Sequence, residues 1–343
     1  MIVYGMINAM NPSIKVSVII PIYKVEPFIA RCAESLFKQS MQEGIEFIFV
    51  NDATPDNSIS ILQERLRSFP ERREQVVLLE HAANQGLPAA RNTGLRAAQG
   101  EYVFHCDSDD YVEPEALEKM YQAAQEHEAD FLWCDWFLSF KQNERYMKQP
   151  GYATALEALK ATLSGVMKYN VWNKLVKRQV YTDNGIRFPE GHGMGEDMTM
   201  IRLLACARKV CYLPEAFYHY VRLNTEAFTQ MGGSVRKQQH LDDLRYNVSR
   251  TMDFVRERFG NQLDQELAFF MLDAKFPFLI SDQKESYRRW KEWFPEAHPY
   301  IGQNRRISFR SRLLQQMAAK GQFWYVWLYY KLVIRFVYGV LYK

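Results

Sequence analysis

The sequence predicts an α/β protein: a mainly parallel, doubly wound sheet flanked by helices, followed by a helical C-terminal region. Three observations carry this expectation. Short apolar, β-branched runs alternate with segments of helical periodicity through the first 140 residues. Polar motifs sit at the ends of the apolar runs, where a parallel sheet presents its ligand crevice. From Ser234 onward the pattern becomes helical, with breaks at Gly260, Pro277, Pro295, Pro299 and Gly321.

In order, the expected strands are "VSVII" (16–20), "IEFIFV" (45–50), "QVVLLE" (75–80), "EYVFHC" (101–106) and "ADFLWCDWF" (129–137). Between them, "EPFIARCAESLFKQ", "NSISILQERLRSF", "GLPAARNTGLRAAQ" and "EPEALEKMYQAAQEH" place apolar residues at helical spacing. The pattern loosens after residue 150, and "EAFYHYVR" reads as one more short strand. The expected division is a domain over 1–230 and a helical region over 231–343, since the length suits one large unit and a smaller one.

The composition is that of a globular chain, 48% hydrophobic and 24% charged, without low-complexity tracts. Five scattered cysteines without CxxC spacing argue against a disulfide framework and against a zinc site. With no basic segment leading into a long apolar core at the N-terminus, a cytoplasmic location is expected. The net charge is only +3, yet residues 301–343 hold eight Lys and Arg and no Asp or Glu. Their aromatic company, "FWYVWLYYKLVIRFVYGVLYK", favours a membrane surface over nucleic acid. Lys331 and Arg335 interrupt that run, so an interfacial helix is expected rather than a spanning one. If the helix continues through Gly321, then at ~100° per residue Lys320, Lys331 and Arg335 share a wedge of about 60°. Trp324, Trp327, Tyr338 and Tyr342 lie in or beside that wedge. Packing of the helix on the rest of the protein is the alternative.

Chemistry is most concentrated in "HCDSDD", where Asp107, Asp109 and Asp110 crowd three carboxylates into four positions. Like charges so close raise one another's pKa unless a cation or solvent relieves them. A helix N-terminus opening at Pro114 would also favour acidic residues there. "PIYK", "NDATPDN", "HAANQG" and "DSDD" each follow an expected strand, so Tyr23, Asp52 and the carboxylates should meet on one rim.

Six segments taken together resemble a family 2 glycosyltransferase of the GT-A fold over about residues 14–230. They are "VSVIIPIYKVEPFIARCAESLFKQS", "NDATPDNS", "NQGLPAARNTGL", "GEYVFHCDSDDYVEPEAL", "WNKLVKR" and "GMGEDMTM". The resemblance implies transfer of a sugar from a nucleoside diphosphate to a hydroxyl, with Mn²⁺ or Mg²⁺ neutralising the departing diphosphate. It assigns the metal to Asp109, with Asp107 touching the ribose or reaching the metal through water, and His219 completing the metal shell. It places Tyr23, within Pro21-Ile22-Tyr23, on the uracil ring and gives Asp52 the uracil N3–H, which favours UDP or dTDP over CDP. Lys24 and Asn51 depart from the family's usual Asn and first Asp at those positions. Arg91 faces base and diphosphate, Lys174 reaches a phosphate beside Trp172, and Arg222 closes over the diphosphate.

By the same resemblance Asp197 is the general base and Glu196 helps to bind the acceptor. One base without a covalent intermediate implies inversion at the anomeric carbon. The expected acceptor is a glycan or lipid-linked hydroxyl in cell-surface polysaccharide synthesis, at the inner face of the membrane. A sugar nucleotidyltransferase would need a glycine-rich phosphate loop, and "PIYKVEPF" has no glycine. A catalytically silent binding scaffold on the same fold is the reading from another class.

Overall fold

The computed structural model describes residues 14–193, 195–223, 234–333 and 335. It forms two compact units, 1–158 with 169–247, and 159–168 with 248–343. The boundary expected near residue 230 lies outside the described residues.

The first unit is built on one sheet. Its strands are β1 (Val16–Ile22), β2 (Ile45–Asn51), β3 (Val76–Glu80), β4 (Tyr102–His105), β5 (Tyr111–Val112), β6 (Phe131–Ser139), β7 (Glu144–Met147), β8 (Lys174–Lys177) and β9 (Val210–Val221). Their spatial order is β3-β2-β1-β4-β8-β6-β9-β5, with β7 pairing β6. The four strands that carry the N-terminal motifs are parallel, as the strand-helix alternation requires. Beyond β4 the sheet is mixed: β8 runs antiparallel to β4 and β6, and β9 is parallel to β6 but antiparallel to β5.

Every residue of β1 and β2 is buried, as expected of strands covered on both faces. Val16, Val18, Ile20 and Ile22 enter the main core with residues of α1 (Ile29–Phe37), α2 (Ser58–Arg67) and α4 (Ala116–Glu126). Helix α3 (Leu87–Ala97) also lies against β1 and β2. At Gly94 it approaches so closely that a Cβ would stand 2.4 Å from Ile19 Cγ2. The glycine brings Arg91, one turn earlier, close to the sheet.

Further along are α5 (Ala155–Leu163), α6 (Arg178–Asp183), α7 (Met198–Cys206) and α8 (Ser234–Phe259). The second unit contains the end of α8, then α9 (Asp264–Lys275), α10 (Lys284–Glu292), α11 (Phe309–Ala319) and α12 (Phe323–Tyr329). Lys275 is buried there, donating to the carbonyl oxygens of Trp293 (2.5 Å) and Phe294 (3.2 Å). The condition that the helix continue through Gly321 is not met. Gly321, at φ +74°, ends α11 in the left-handed conformation, so Lys320 belongs to a different helix from Lys331. Val326 of α12 is buried, while Trp324 and Trp327 are 61% and 46% exposed. Lys331 pairs with Asp282 at 2.9 Å. Among the described residues no helix is long and apolar enough to cross a membrane. Tyr338 and Tyr342 lie outside the described residues.

Candidate active site

The carboxyl ends of β1, β2 and β4 bring the first motifs together. Ile22 pairs with Asn51 across β1 and β2, and Asp52 N–H donates to the Ile22 carbonyl at 3.0 Å. On the other side Cys106 N–H donates to the Ile19 carbonyl at 3.0 Å, which starts the Asp107–Asp110 loop beside β1. Ser108 Oγ then donates to the Pro21 carbonyl at 2.6 Å. Pro21 thus contributes a backbone acceptor that fixes the acidic loop. Tyr23 stands at the same edge, exposed, with Lys24 Nζ 5.5 Å from its ring centroid.

Asp52 is buried and heavily engaged. Its Oδ1 meets His81 Nδ1 at 2.7 Å and accepts from Gln85 N–H at 2.8 Å. Its Oδ2 accepts from Gly86 N–H at 2.8 Å and from Asn84 Nδ2 at 2.9 Å. With two partners on each oxygen, the carboxylate is the brace of the loop between β3 and α3. His81 Nε2 contacts Thr93 Oγ1 of α3 at 2.9 Å, extending the brace to the helix that carries Arg91.

Arg91 is the electrostatic centre. It is buried, and Nη2 donates to Asp107 Oδ1 at 2.6 Å. Its Nε and Nη1 are buried without a hydrogen-bond partner. Burial disfavours its charge, but Asp107, Glu196 and Asp197 outweigh that penalty and hold Arg91 above its ordinary value. The acidic loop and the Glu196-Asp197 pair therefore act on the same guanidinium.

Asp110 faces inward. Oδ1 accepts from Val221 N–H and Oδ2 from Tyr218 O–H, both at 2.7 Å. Burial first, then Asp109 and Asp107, push its pKa well above the usual carboxylate range. Tyr218 O also accepts from Asp107 N–H at 3.0 Å, and its ring stacks on Trp172 at 4.5 Å. Trp172 is thus a buried support beneath the loop. Asp109 is half-buried, and its carbonyl accepts from Arg31 Nη2 at 3.0 Å.

Asp197 stands at the residue before α7 without capping it through its side chain, and its Oδ1 accepts from Val171 N–H at 2.9 Å. Burial, followed by the charge of Glu196, raises its pKa to about 7. Lys174 is buried in β8, where Nζ donates to Asn173 Oδ1 at 2.6 Å. Burial lowers its pKa to about 7, against the opposing pull of Cys134 and Asp197.

His219 is held by two carboxylates, Nδ1 to Glu144 Oε1 at 2.8 Å and Nε2 to Glu113 Oε1 at 2.7 Å. Its ring is stacked 4.1 Å from Tyr111 and 4.7 Å from Phe137. With both nitrogens engaged, it ties β5 to β6 and β7 and offers no lone pair to the acidic loop. Among the described residues no three His, Cys, Asp or Glu side chains form a metal cage. Asp107 and Asp109, both partly exposed in one loop, present hard carboxylate oxygens of the kind Mg²⁺ takes together with substrate phosphate oxygens.

The sequence reasoning did not single out Tyr218, His81 or Asn92. Asn92 Nδ2 donates to the Phe188 carbonyl at 3.0 Å and Glu190 Oε1 at 2.8 Å, joining α3 to the segment before Glu196. The adjacency of Asn92 to Arg91 was the available signal.

Residues 17–198, more than half of the chain, match the family described as Glycosyl transferase family 2, and the chain belongs to that family. It is 31% identical over 234 residues to the uncharacterized glycosyltransferase EpsJ of Bacillus subtilis (strain 168), a match covering 66% of each protein. It is 39% identical over 118 residues to the poly(ribitol-phosphate) beta-glucosyltransferase of Bacillus spizizenii, covering 34% of this chain and 18% of that one. The chain thus spans just under two thirds of EpsJ and less than a fifth of the glucosyltransferase. Residues 1–349 of S. aureus TarS, solved in complex with UDP-GlcNAc, superpose with a TM-score of 0.67 at 22% identity, covering 92% of this chain and 91% of that one. At that identity the likeness establishes the fold, a GT-A arrangement.

Proposed function

We propose that the chain is an inverting glycosyltransferase that moves a sugar from a nucleoside diphosphate donor, UDP-linked in preference, to a hydroxyl of a glycan or lipid-linked acceptor in cell-surface polysaccharide synthesis. The observation that carries the reading is Arg91: one buried guanidinium bonds Asp107 and balances Glu196 and Asp197. That shared guanidinium supports a site in which acids suited to the diphosphate side and to the acceptor side work together.

In this reading residues 1–230 are the transferase domain and 231–343 a helical appendage. Tyr23 stacks on the base, and uracil N3–H reaches Asp52 by displacing the Asn84 amide, the one side-chain amide among its four partners. Asp109 and Asp107 hold Mn²⁺ or Mg²⁺, which when bound supplies positive charge to the leaving diphosphate. Arg91 supplies fixed positive charge near the phosphates and Lys174 adds charge in its protonated form, and Arg91's unpartnered Nε and Nη1 suit phosphate oxygens. Asp197 takes the acceptor proton, its raised pKa suiting a base that works near neutral pH. Glu196 helps to bind the acceptor. The outward indoles of Trp324 and Trp327 are suited to an anionic membrane surface at the cytoplasmic face.

The test is a nucleotide-sugar screen with Mn²⁺, following nucleoside diphosphate release with and without EDTA. Release from one UDP-sugar, lost on chelation, is expected. If no donor is turned over and no nucleotide binds, the chain is a silent scaffold.

A further inference from the structure

The segment that delivers Glu196 and Asp197 is rich in glycine, "GHGMGED" over 191–197, and such a backbone has little intrinsic preference for one conformation. Something else must fix it, because a displacement of about 1 Å at a base can cost about a hundredfold in rate. Within the first unit, one face of α8 does so. Asp243, Tyr246 and Asn247 are spaced i, i+3 and i+4, so they project from the helix on the same side.

Their contacts reach three residues of the turn, His192, Gly193 and Gly195. Asp243 Oδ2 accepts from Gly193 N–H and Oδ1 meets His192 Nδ1, each at 3.0 Å. Asn247 Nδ2 donates to the Gly193 carbonyl at 2.9 Å. The His192 ring stacks on Tyr246 with centroids 3.9 Å apart and planes 18° apart. Gly195 lies directly against Asn247: a Cβ there would come within 2.0 Å of the Asn247 amide carbon. Asp243 and Asn247 are both buried, which makes their hydrogen bonds costly to lose. Two residues beyond that contact stands Asp197.

We propose that Asp243, Tyr246 and Asn247 form a clamp on His192, Gly193 and Gly195 and are positioning residues of the transfer reaction, holding Glu196 and Asp197 toward the acceptor. This rests on the reading of Asp197 as the base. The contacts described for the clamp go to His192, Gly193 and Gly195 and to none of Tyr23, Asp52, Arg91 or Asp107, so it should act on turnover and acceptor use and leave donor affinity alone.

The test compares wild type with Asn247→Ala, Asp243→Ala and Asp243→Asn in the full chain. It uses UDP with Mn²⁺ as the binding probe, the turned-over UDP-sugar for transfer, and amide hydrogen exchange over 190–200. Asn247→Ala and Asp243→Ala should each lower kcat by about tenfold or more while the Kd for UDP stays within about twofold. Exchange should quicken in 190–200 and stay unchanged in β1. Asp243→Asn, which keeps an acceptor for Gly193 N–H, should retain most of the turnover. Gly195→Ala should be damaging alone and less so with Asn247→Ala, a non-additive pair. Unchanged kcat, parallel loss of UDP affinity, or unchanged loop exchange overturns the clamp. If Asn247→Ala does not fold, Tyr246→Leu at its exposed ring carries the same comparison. If wild type transfers no sugar, the assignment of Asp197 falls, and loop exchange alone decides the clamp.

Discussion

The raised pKa of Asp197 can be read out directly. Its ordinary value is 3.8, and burial together with Glu196 brings it to about 7. A base with that value is ionised in roughly one molecule in ten at pH 6, so kcat/KM there should be about tenfold below its alkaline plateau. An unperturbed carboxylate would hold the plateau down to about pH 5. The perturbation that isolates the cause is Glu196→Gln. It removes a neighbouring negative charge, which favours the ionised form and lowers the Asp197 pKa. The acid limb should therefore move toward lower pH, whatever happens to the plateau through weaker acceptor binding. The assay is initial rate against pH from about 5 to 9, with circular dichroism at each pH to verify folding. A limb centred near pH 4, or one that Glu196→Gln leaves in place, would refute the assignment of the base and of its neighbour's effect.

Other consequences can be measured alongside. Asp197→Asn should abolish transfer yet stabilise the fold. A carboxylate whose folded pKa exceeds its unfolded value holds its proton between about pH 4 and 7 when the unfolded chain has released it, so stability falls as pH rises through that window. The variant's gain in Tm should thus be larger at pH 8 than at pH 5. Arg91→Lys keeps a charge but loses the fork that binds Asp107 while aiming other N–H groups elsewhere; calorimetry should show UDP binding weakened about tenfold or more. Asp110→Ala leaves Tyr218 O–H and Val221 N–H without their acceptor, and should cost about 2–4 kcal/mol in chemical denaturation. Trp324→Ala with Trp327→Ala should reduce co-sedimentation with anionic vesicles and leave donor binding unchanged.

What the sequence made legible follows from how far each signal reaches. Burial on both faces writes itself into β1 and β2 as continuous apolar runs, so the parallel half of the sheet and its loops could be placed from pattern alone. The mixed half is less legible, because strand direction depends on partners far along the chain, such as β5 against β9. The same limit separates the candidate residues. "DSDD" announces an acidic site, but only the fold shows Asp110 turned inward to Tyr218 and Arg91 turned toward Asp107. His219 was assigned to the metal shell by the family resemblance alone; Glu113 and Glu144, 106 and 75 residues away, occupy both of its nitrogens. At Gly321 the break named from the sequence is the one the structure has: a glycine in the left-handed region ends α11 and separates it from α12. A motif therefore identifies which residue types gather at a site. Which of their atoms remain available for a substrate is decided by long-range partners, and Arg91, with Nη2 committed to Asp107 and two nitrogens, Nε and Nη1, buried without a partner, is the clearest case.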